Sequence, residues 1–510
     1  MLLLNVTDKY SKKKTGELGY KKFFSLGLVI VLAGFIFLQS LRIRGNQIPT
    51  ESAEAATVNY STLYGGKLTG AGTDIFVDGQ GNEYYLQLFH NTPGDLDCNI
   101  RITKLKSRQK LWSKDWGGSK CDAPQEIIVD SEGYVYVIGN TESSDFPLKN
   151  PIQKSFAGGT NDVFLLKLNP TGGVVMSTFI GGSKYEDQGG QFFVNNGIVY
   201  IAGRTGSENF PLTPDAFQST FGGGFDDAFL VKIDTKQFKL IYSTFIGGSD
   251  DDRAKAVTLD KYGNIIIVGE TSSLNYPIYK PLYDHLWGGG DMFVTKMTPD
   301  GKKFIFSTYL GSEGYSEGAE AVAIDTNNRI IVVGSASGPN YPLVKPLQQY
   351  KGTSLLSDIA VSVFKATGDA LLFSTLWGGS YSESAESVLI DSQGAIYLAG
   401  STSSRDDFPL KNALQSKCYY SDVYFMKIKA DYTAVDISTC WGGSGSEGLG
   451  GMAAISTAPN RVWISGSTNS GDFPLINPLD QTLIPYTSKL FYSKAFFAKF
   501  VLDTSTEPPY

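Results

Sequence analysis

The sequence predicts an all-β fold: a seven-bladed β-propeller of four-stranded antiparallel blades, preceded by one N-terminal transmembrane helix. Three observations predict it. A short word, best formed as Ser243-Thr244-Phe245-Ile246-Gly247-Gly248, recurs from Ser61, Ser113, Ser177, Ser243, Ser307, Ser374 and Ser438. The copies lie 52, 64, 66, 64, 67 and 64 residues apart, and a regular internal period of this kind overrides the three-domain expectation that 510 residues would otherwise raise. Each interval holds four short strand-like runs divided by turn residues, in a chain with 57 glycines and 28 tyrosines, a composition of many strands and tight turns.

The chain divides into a basic N-terminus (1–22), an apolar run (23–41), a polar linker (42–56), the repeats (57–501) and a C-terminal tail (502–510). Phe23 to Leu41 contains no charge, and at ~1.5 Å per residue it reaches the hydrocarbon thickness of a bilayer. Six lysines precede it and two arginines follow, so the positive-inside rule puts the N-terminus in the cytoplasm and the repeats outside, on a single-pass protein of the cell membrane. The alternative is a signal peptide cut near Ala55 and a secreted product.

The unit after Ser243 shows the strand order. Ala256-Val257-Thr258-Leu259 alternates as a half-buried strand does. Asp260-Lys261-Tyr262-Gly263 is a tight turn, and Ile265–Val268 is a β-branched run suited to burial. A loop of about 20 residues follows, then a third strand at Met292–Met297, a turn at Thr298-Pro299-Asp300-Gly301 and a fourth strand at Phe304–Tyr309. Four antiparallel strands per unit suit a propeller blade, whereas a string of sandwich domains needs about 100 residues each. The chain enters on a fourth-type strand and leaves on a third-type strand. The N-terminal strand is therefore expected to complete the last blade and close the ring, which removes the free edges of an open row of sheets.

These recurring words (S-T-[FYL]-[ILW]-G-G-S, D-x-x-G-x-[IV]-[YI], [FY]-P-L and D-[AV]-F-[LV]-x-K-[LI]) resemble the SBBP-type propeller repeat of secreted and surface bacterial proteins. The resemblance covers about residues 57–501 and implies an extracytoplasmic binding or surface role without a defined activity. The first blade departs most: it lacks the F-P-L word and is about 12 residues short.

Charge narrows the function. The net charge is −7, and residues 1–44 carry eight basic against two acidic side chains, which leaves −13 on the rest. An acidic body argues against nucleic acid as a partner. The sequence has no G-x-S-x-G elbow, P-loop, H-E-x-x-H, EF-hand loop or sialidase-type Asp box, and His90 and His285 are its two histidines. A binding or adhesion module at the cell surface, engaging a protein or glycan through its long-loop face, is the leading expectation. A structural envelope component without a dedicated ligand is the alternative, and an extracytoplasmic lyase or hydrolase with carboxylates at the channel mouth a second.

Candidate site residues follow the glycine word. An acid recurs there at Asp122, Asp187, Asp252, Glu317, Glu383 and Glu447, with Gly70 in the first blade. These carboxylates could hold a cation such as Ca²⁺ at the channel mouth; no other cofactor is expected. The structural reading pairs each with the lysine that recurs on the third strand: Lys104, Lys167, Lys232, Lys296, Lys365, Lys427 and Lys499. A second recurring acid (Asp162, Asp227, Asp291, Asp358, Asp422) reads as a turn cap. The long loops are expected to crown one face, with the short first blade leaving a gap that admits a ligand to the channel. Cys98 and Cys121, and Cys418 and Cys440, are candidate disulfide pairs for an oxidising compartment; four buried thiols are the alternative.

Overall fold

A computed structural model of the chain describes residues 56–64, 69–90, 97–348, 356–419, 421–454, 461–480 and 493–502. The basic N-terminus, the apolar run 23–41, the linker to residue 55 and the tail after 502 lie outside the described residues. Among the described residues no helix is long and apolar enough to cross a membrane.

Seven antiparallel sheets are the seven blades, each with four strand positions; in blade 3 the innermost is split into Glu186–Gln188 and Phe193–Asn195. Blade 4 is representative: Asp252–Leu259 nearest the axis, then Ile265–Thr271, Asp291–Met297 and Phe304–Leu310 outermost. The Asp260 turn shows why the D-x-x-G word recurs. The Asp260 carboxylate accepts the N–H groups of Tyr262 and Asn264 at 2.8 and 2.9 Å, while Gly263 adopts φ +79°, where a side chain would be strained.

Ring closure follows from strand register. Thr57–Tyr64 pairs antiparallel with Lys494–Val501, from Thr57 opposite Val501 to Tyr64 opposite Ala495. The first strand of the chain is thus the fourth strand of blade 7, as the phase of the repeat predicts.

Seven apolar clusters, one at each blade-to-blade seam, make up the core. Both faces of every sheet are therefore covered, and strands such as Ile265-Ile266-Ile267-Val268 are fully buried without strict alternation. The seam between blades 7 and 1 adds a polar network. Tyr60 and Tyr85 each donate to Glu83 at 2.8 Å, Trp463 Nε1 donates to it at 3.2 Å, and Tyr85 stacks on Phe497.

The long loops do not crown a face. Each runs along the outer edge of its own blade as a strap. In blade 2, Phe146 inserts among Phe164 and Phe179. Lys149 then pairs with Ser177 through both backbone groups, and Thr178 Oγ1 accepts the N–H groups of Ile152 and Gln153 at 3.0 Å. Thr62, Thr244, Thr308, Thr375 and Thr439 accept strap N–H groups in the same way. The Ser-Thr of the recurring word is therefore a strap anchor, and the strap satisfies an edge that would otherwise be open.

Two cysteine pairs are bonded. Cys98–Cys121 joins the third strand of blade 1 to the start of blade 2, and Cys418–Cys440 ties the blade-6 strap to the fourth strand of that blade.

Candidate functional site

The acids after the glycine word lie at the seams between blades, and none of them lines the axial cavity. Asp252 is fully buried. It accepts the N–H of Gly248 at 2.6 Å, the hydroxyl of Ser273 at 2.9 Å and the hydroxyl of Thr271. Asp122, Glu317, Glu383 and Glu447 are each buried and accept the backbone N–H of Gly118, Ser312, Gly379 and Gly443. These carboxylates tie the outer-to-inner crossover to the next blade.

In blade 3 the equivalent residue is Glu186, which accepts from Thr205 at 2.8 Å. Asp187, named from spacing, points to a different environment, where Asn140 donates to it at 2.7 Å and Arg204 at 3.0 Å. Glu186 lies four residues past the second glycine, as Asp122, Asp252, Glu383 and Glu447 do; Asp187 comes from aligning the first strands, and in blade 3 that strand is broken after Gln188.

The recurring lysines do not pair with these acids. Six of them sit at the sixth position of the third strand, toward the opposite face, and those of blades 2 to 4 reach turns of the same and the next blade; Lys365 lies beyond its strand, Asp358–Phe364, and approaches Asp369 at 4.0 Å. Lys296 meets Asp260 at 2.9 Å and the carbonyl of Ala366, Lys232 donates to the carbonyl of Pro299, and Lys167 donates to Thr235.

A second carboxylate sits beside five of the six seam acids instead, and Asn99 takes that place beside Asp122. A Cβ on Gly247 would meet Asp227 Cγ at 2.8 Å and Asp252 Oδ2 at 2.9 Å, so the glycine is required for this close approach. Burial pushes Asp227 up to about 7, with the charge of Asp252 adding to it, and pushes Asp252 up to about 6. Asp162 and Asp422 are likewise raised to about 7 by burial, beside Glu186 and Glu447. One oxygen of each of Asp162, Asp227, Asp291 and Asp422 has no hydrogen-bond partner among the described residues.

The axis holds the asymmetric chemistry. A cavity of about 630 Å³ is lined by the first strands of six blades. The first strands of blades 1, 2, 4, 5, 6 and 7 carry a β-bulge at one shared position, between Gly72 and Asp74, Pro124 and Glu126, Ala254 and Ala256, Ala319 and Ala321, Ala385 and Ser387, and Leu449 and Gly451. A bulge re-aims one side chain out of the alternation. The bulged residues are Thr73, Gln125, Lys255, Glu320, Glu386 and Gly450, and all but Lys255 line the cavity. In blade 3 the first strand is broken between Gln188 and Phe193. Gln191 fills the gap, bonding Lys255 and Val257 through its backbone and accepting the N–H of Val322 with its side chain at 3.0 Å.

Four carboxylates thus face one cavity from blades 1, 2, 5 and 6. Asp74 accepts the N–H groups of Ile75 at 2.7 Å and Ile127 at 2.9 Å, yet burial pushes it up to about 8. Glu126 accepts the N–H of Phe192 at 2.6 Å and is raised by burial and by Asp74. Burial pushes Glu386 up to about 7, against a hydrogen bond from Ser401 and with Glu320 adding to the rise. Lys255 approaches Glu320 at 3.5 Å. Among the described residues no group of three or more His, Cys, Asp or Glu side chains is arranged to hold a metal ion. What the cavity offers is a concave acidic surface suited to a cationic group.

Sequence reasoning passed over these four residues. For two of them a signal existed: the position three residues after the seam acid changes from Lys255 to Glu320, Glu386 and Gly450 while its neighbours stay small or apolar; Asp74 and Glu126 lie one position further on, where blades 4 to 7 carry Ala256, Ala321, Ser387 and Gly451.

Residues 117–147 match the SBBP beta-propeller repeat model. No curated protein shows significant similarity to the chain. Among solved structures, a Dyadobacter fermentans protein of unknown function aligns at 10% identity and TM-score 0.42, covering 88% of this chain and 99% of that one. The Neurospora crassa Pan2 WD40 domain aligns at 8% identity and TM-score 0.43, covering 89% and 98%. Pyrococcus horikoshii acylaminoacyl peptidase aligns at 11% identity and TM-score 0.41, covering 80% of this chain and 50% of that one. At these TM-scores none bears on function.

Proposed function

We propose that this SBBP-type seven-bladed β-propeller is a membrane-anchored, extracytoplasmic binding module that holds an amine-bearing group of a cell-surface protein or glycan in its axial cavity. Propellers in general serve as interaction modules. The observation that carries the finer reading is the cavity itself: about 630 Å³, with Asp74, Glu126, Glu320 and Glu386 breaking an otherwise even repeat. Cavities of this size with a few convergent polar groups are the usual form of a ligand site. The uncharged run 23–41 with its preceding lysines supports the anchor. The two bonded cysteine pairs support an oxidising compartment.

The test is an array of glycans and peptides, with free amines and with the same amines acetylated, probed with the full-length protein in detergent. Retention of the amine-bearing members is expected, weakened about tenfold in Glu320→Gln/Glu386→Gln, in keeping with ~1.4 kcal/mol per tenfold step. A blank array would refute the reading and favour a purely structural envelope role. Fractionation of the full-length protein with the cytosol would refute the anchor.

A further inference from the structure

Among the described residues, six blades cover their outer edge with a strap and blade 1 does not. The serine of the recurring word shows it. Ser61, Ser177, Ser243, Ser307, Ser374 and Ser438 are all fully buried beneath a strap, whereas the equivalent Ser113 is exposed. The cause is legible in two places. The connection from His90 to Asn99 is too short to run down the edge and return, against the span from Thr141 to Asp162 in blade 2. The anchoring threonine, Thr178 in blade 2, is replaced by Lys114.

The composition of that edge differs to match. The outer strands of blades 2, 4 and 5 (Val174–Ile180, Phe304–Leu310, Leu371–Trp377) carry no charge. The outer strand of blade 1 is Gln109–Trp116, QKLWSKDW, and is exposed along most of its length, with Leu111 53% exposed. With the strand beside it, Asn99–Lys106, and the turn between them, it carries Arg101, Lys104, Lys106, Arg108, Lys110 and Lys114 against Asp115 alone. Asp115 is already held by Arg101 at 2.7 Å. A one-signed basic edge therefore stands on a body whose net charge is strongly negative.

We propose that the bare outer edge of blade 1 is a docking site for an extended acidic segment of another polypeptide, which adds a fifth strand beside Gln109–Trp116. The equivalents of Ser113 point both backbone groups outward, as the pairing of Ser177 N–H and C=O with Lys149 shows. Ser113 offers the same donor and acceptor to an incoming strand. Backbone pairing gives affinity in this mode and the flanking side chains give selectivity; here the lysines select acidic residues and Leu111 an apolar one. A second copy of the chain is disfavoured as the occupant, because edge-to-edge pairing sets Lys110 and Lys114 against their own copies. The competing reading is that the lysines only keep a free edge from pairing at all. The site lies on the rim, apart from the axial cavity, so its test is independent of the cavity's.

The experiment is fluorescence anisotropy of acetylated octapeptides of alternating valine with glutamate or with glutamine, titrated with the full-length protein in detergent. The glutamate peptide is expected to bind and the glutamine peptide to bind at least about fivefold more weakly. Raising NaCl from about 50 to about 300 mM is expected to weaken the glutamate peptide by a similar factor, as screened charges require. Ser113→Pro removes the outward donor without touching the internal ladder, since proline is tolerated on an edge, and is expected to cost about fivefold or more. Lys110→Glu/Lys114→Glu is expected to do the same and covers the case in which the proline variant fails to fold. Absence of glutamate-peptide binding, equal binding of the two peptides, unchanged binding by a folded Ser113→Pro, or a dimer in sedimentation equilibrium would each overturn the proposal.

Discussion

Replacing Asp227 with asparagine is expected to flatten the pH dependence of stability by about 3 kcal/mol between pH 5 and pH 8. Asp227 is fully buried, and one oxygen accepts the N–H of Gly222 at 2.6 Å while the other has no partner among the described residues. Burial, with Asp252 close by, raises it from 3.8 to about 7. A carboxyl whose folded pKa is raised binds its proton more tightly in the folded state. Its stabilising contribution is therefore complete below 3.8 and is lost as pH rises through about 7. At ~1.4 kcal/mol per pKa unit, about two of the roughly three units remain effective at pH 5 and almost none at pH 8, a difference of ~3 kcal/mol. Asparagine is neutral throughout, and its amide can donate where the orphaned oxygen lay. The assay is urea unfolding of the full-length protein in detergent at pH 5 and pH 8. The wild type is expected to be more stable at pH 5, since Asp162, Glu317 and Asp422 are also raised to about 7 and lose stability over the same window. The variant is expected to lose less on going to pH 8. A wild type more stable at pH 8, or a variant with the same slope, would refute the idea that the seam carboxylates are held protonated by burial.

Two further outcomes test the frame. Thr178→Val removes the acceptor for the N–H groups of Ile152 and Gln153; a loss of about 1–3 kcal/mol and faster proteolysis within the blade-2 strap are expected, and unchanged protection would show that the hydroxyl is not the anchor. Cys98→Ser/Cys121→Ser opens the bond between blades 1 and 2; a loss of about 2–4 kcal/mol in urea unfolding is expected, and wild-type stability would show that the seam core alone holds those blades together.

The fold was legible because it rests on periodicity. The seven copies of the word at Ser243 count blades, and the phase of the first and last strands dictates that Thr57–Tyr64 meets Lys494–Val501. What was not legible is which partner a polar residue takes across a gap of one blade. Spacing places a seam acid and a third-strand lysine in nearly every unit, and nothing in one dimension shows that Lys296 reaches turns toward the opposite face of the ring. Asp187 stands in for Glu186 for a different reason: an alignment on the first strand slips by one where that strand is broken, between Gln188 and Phe193. The long loops read as a crown by length alone; their docking depends on Thr178 and its equivalents, whose role shows only once the edge is seen. The axial site was hidden because a bulge moves Glu320 and Glu386 out of the alternation from which facing is inferred.

Proton release on ligand binding tests the axial acidic site most directly. A cation seated beside Asp74 and Glu386, which burial holds at about 8 and about 7, lowers both and drives protons into solution. Titration calorimetry at pH 7 with an amine-bearing ligand retained on the array, in two buffers of different ionisation enthalpy, counts those protons. The account predicts net release for the wild type and a smaller release for Glu386→Gln. Binding with no release, or with the same release in the variant, would contradict it.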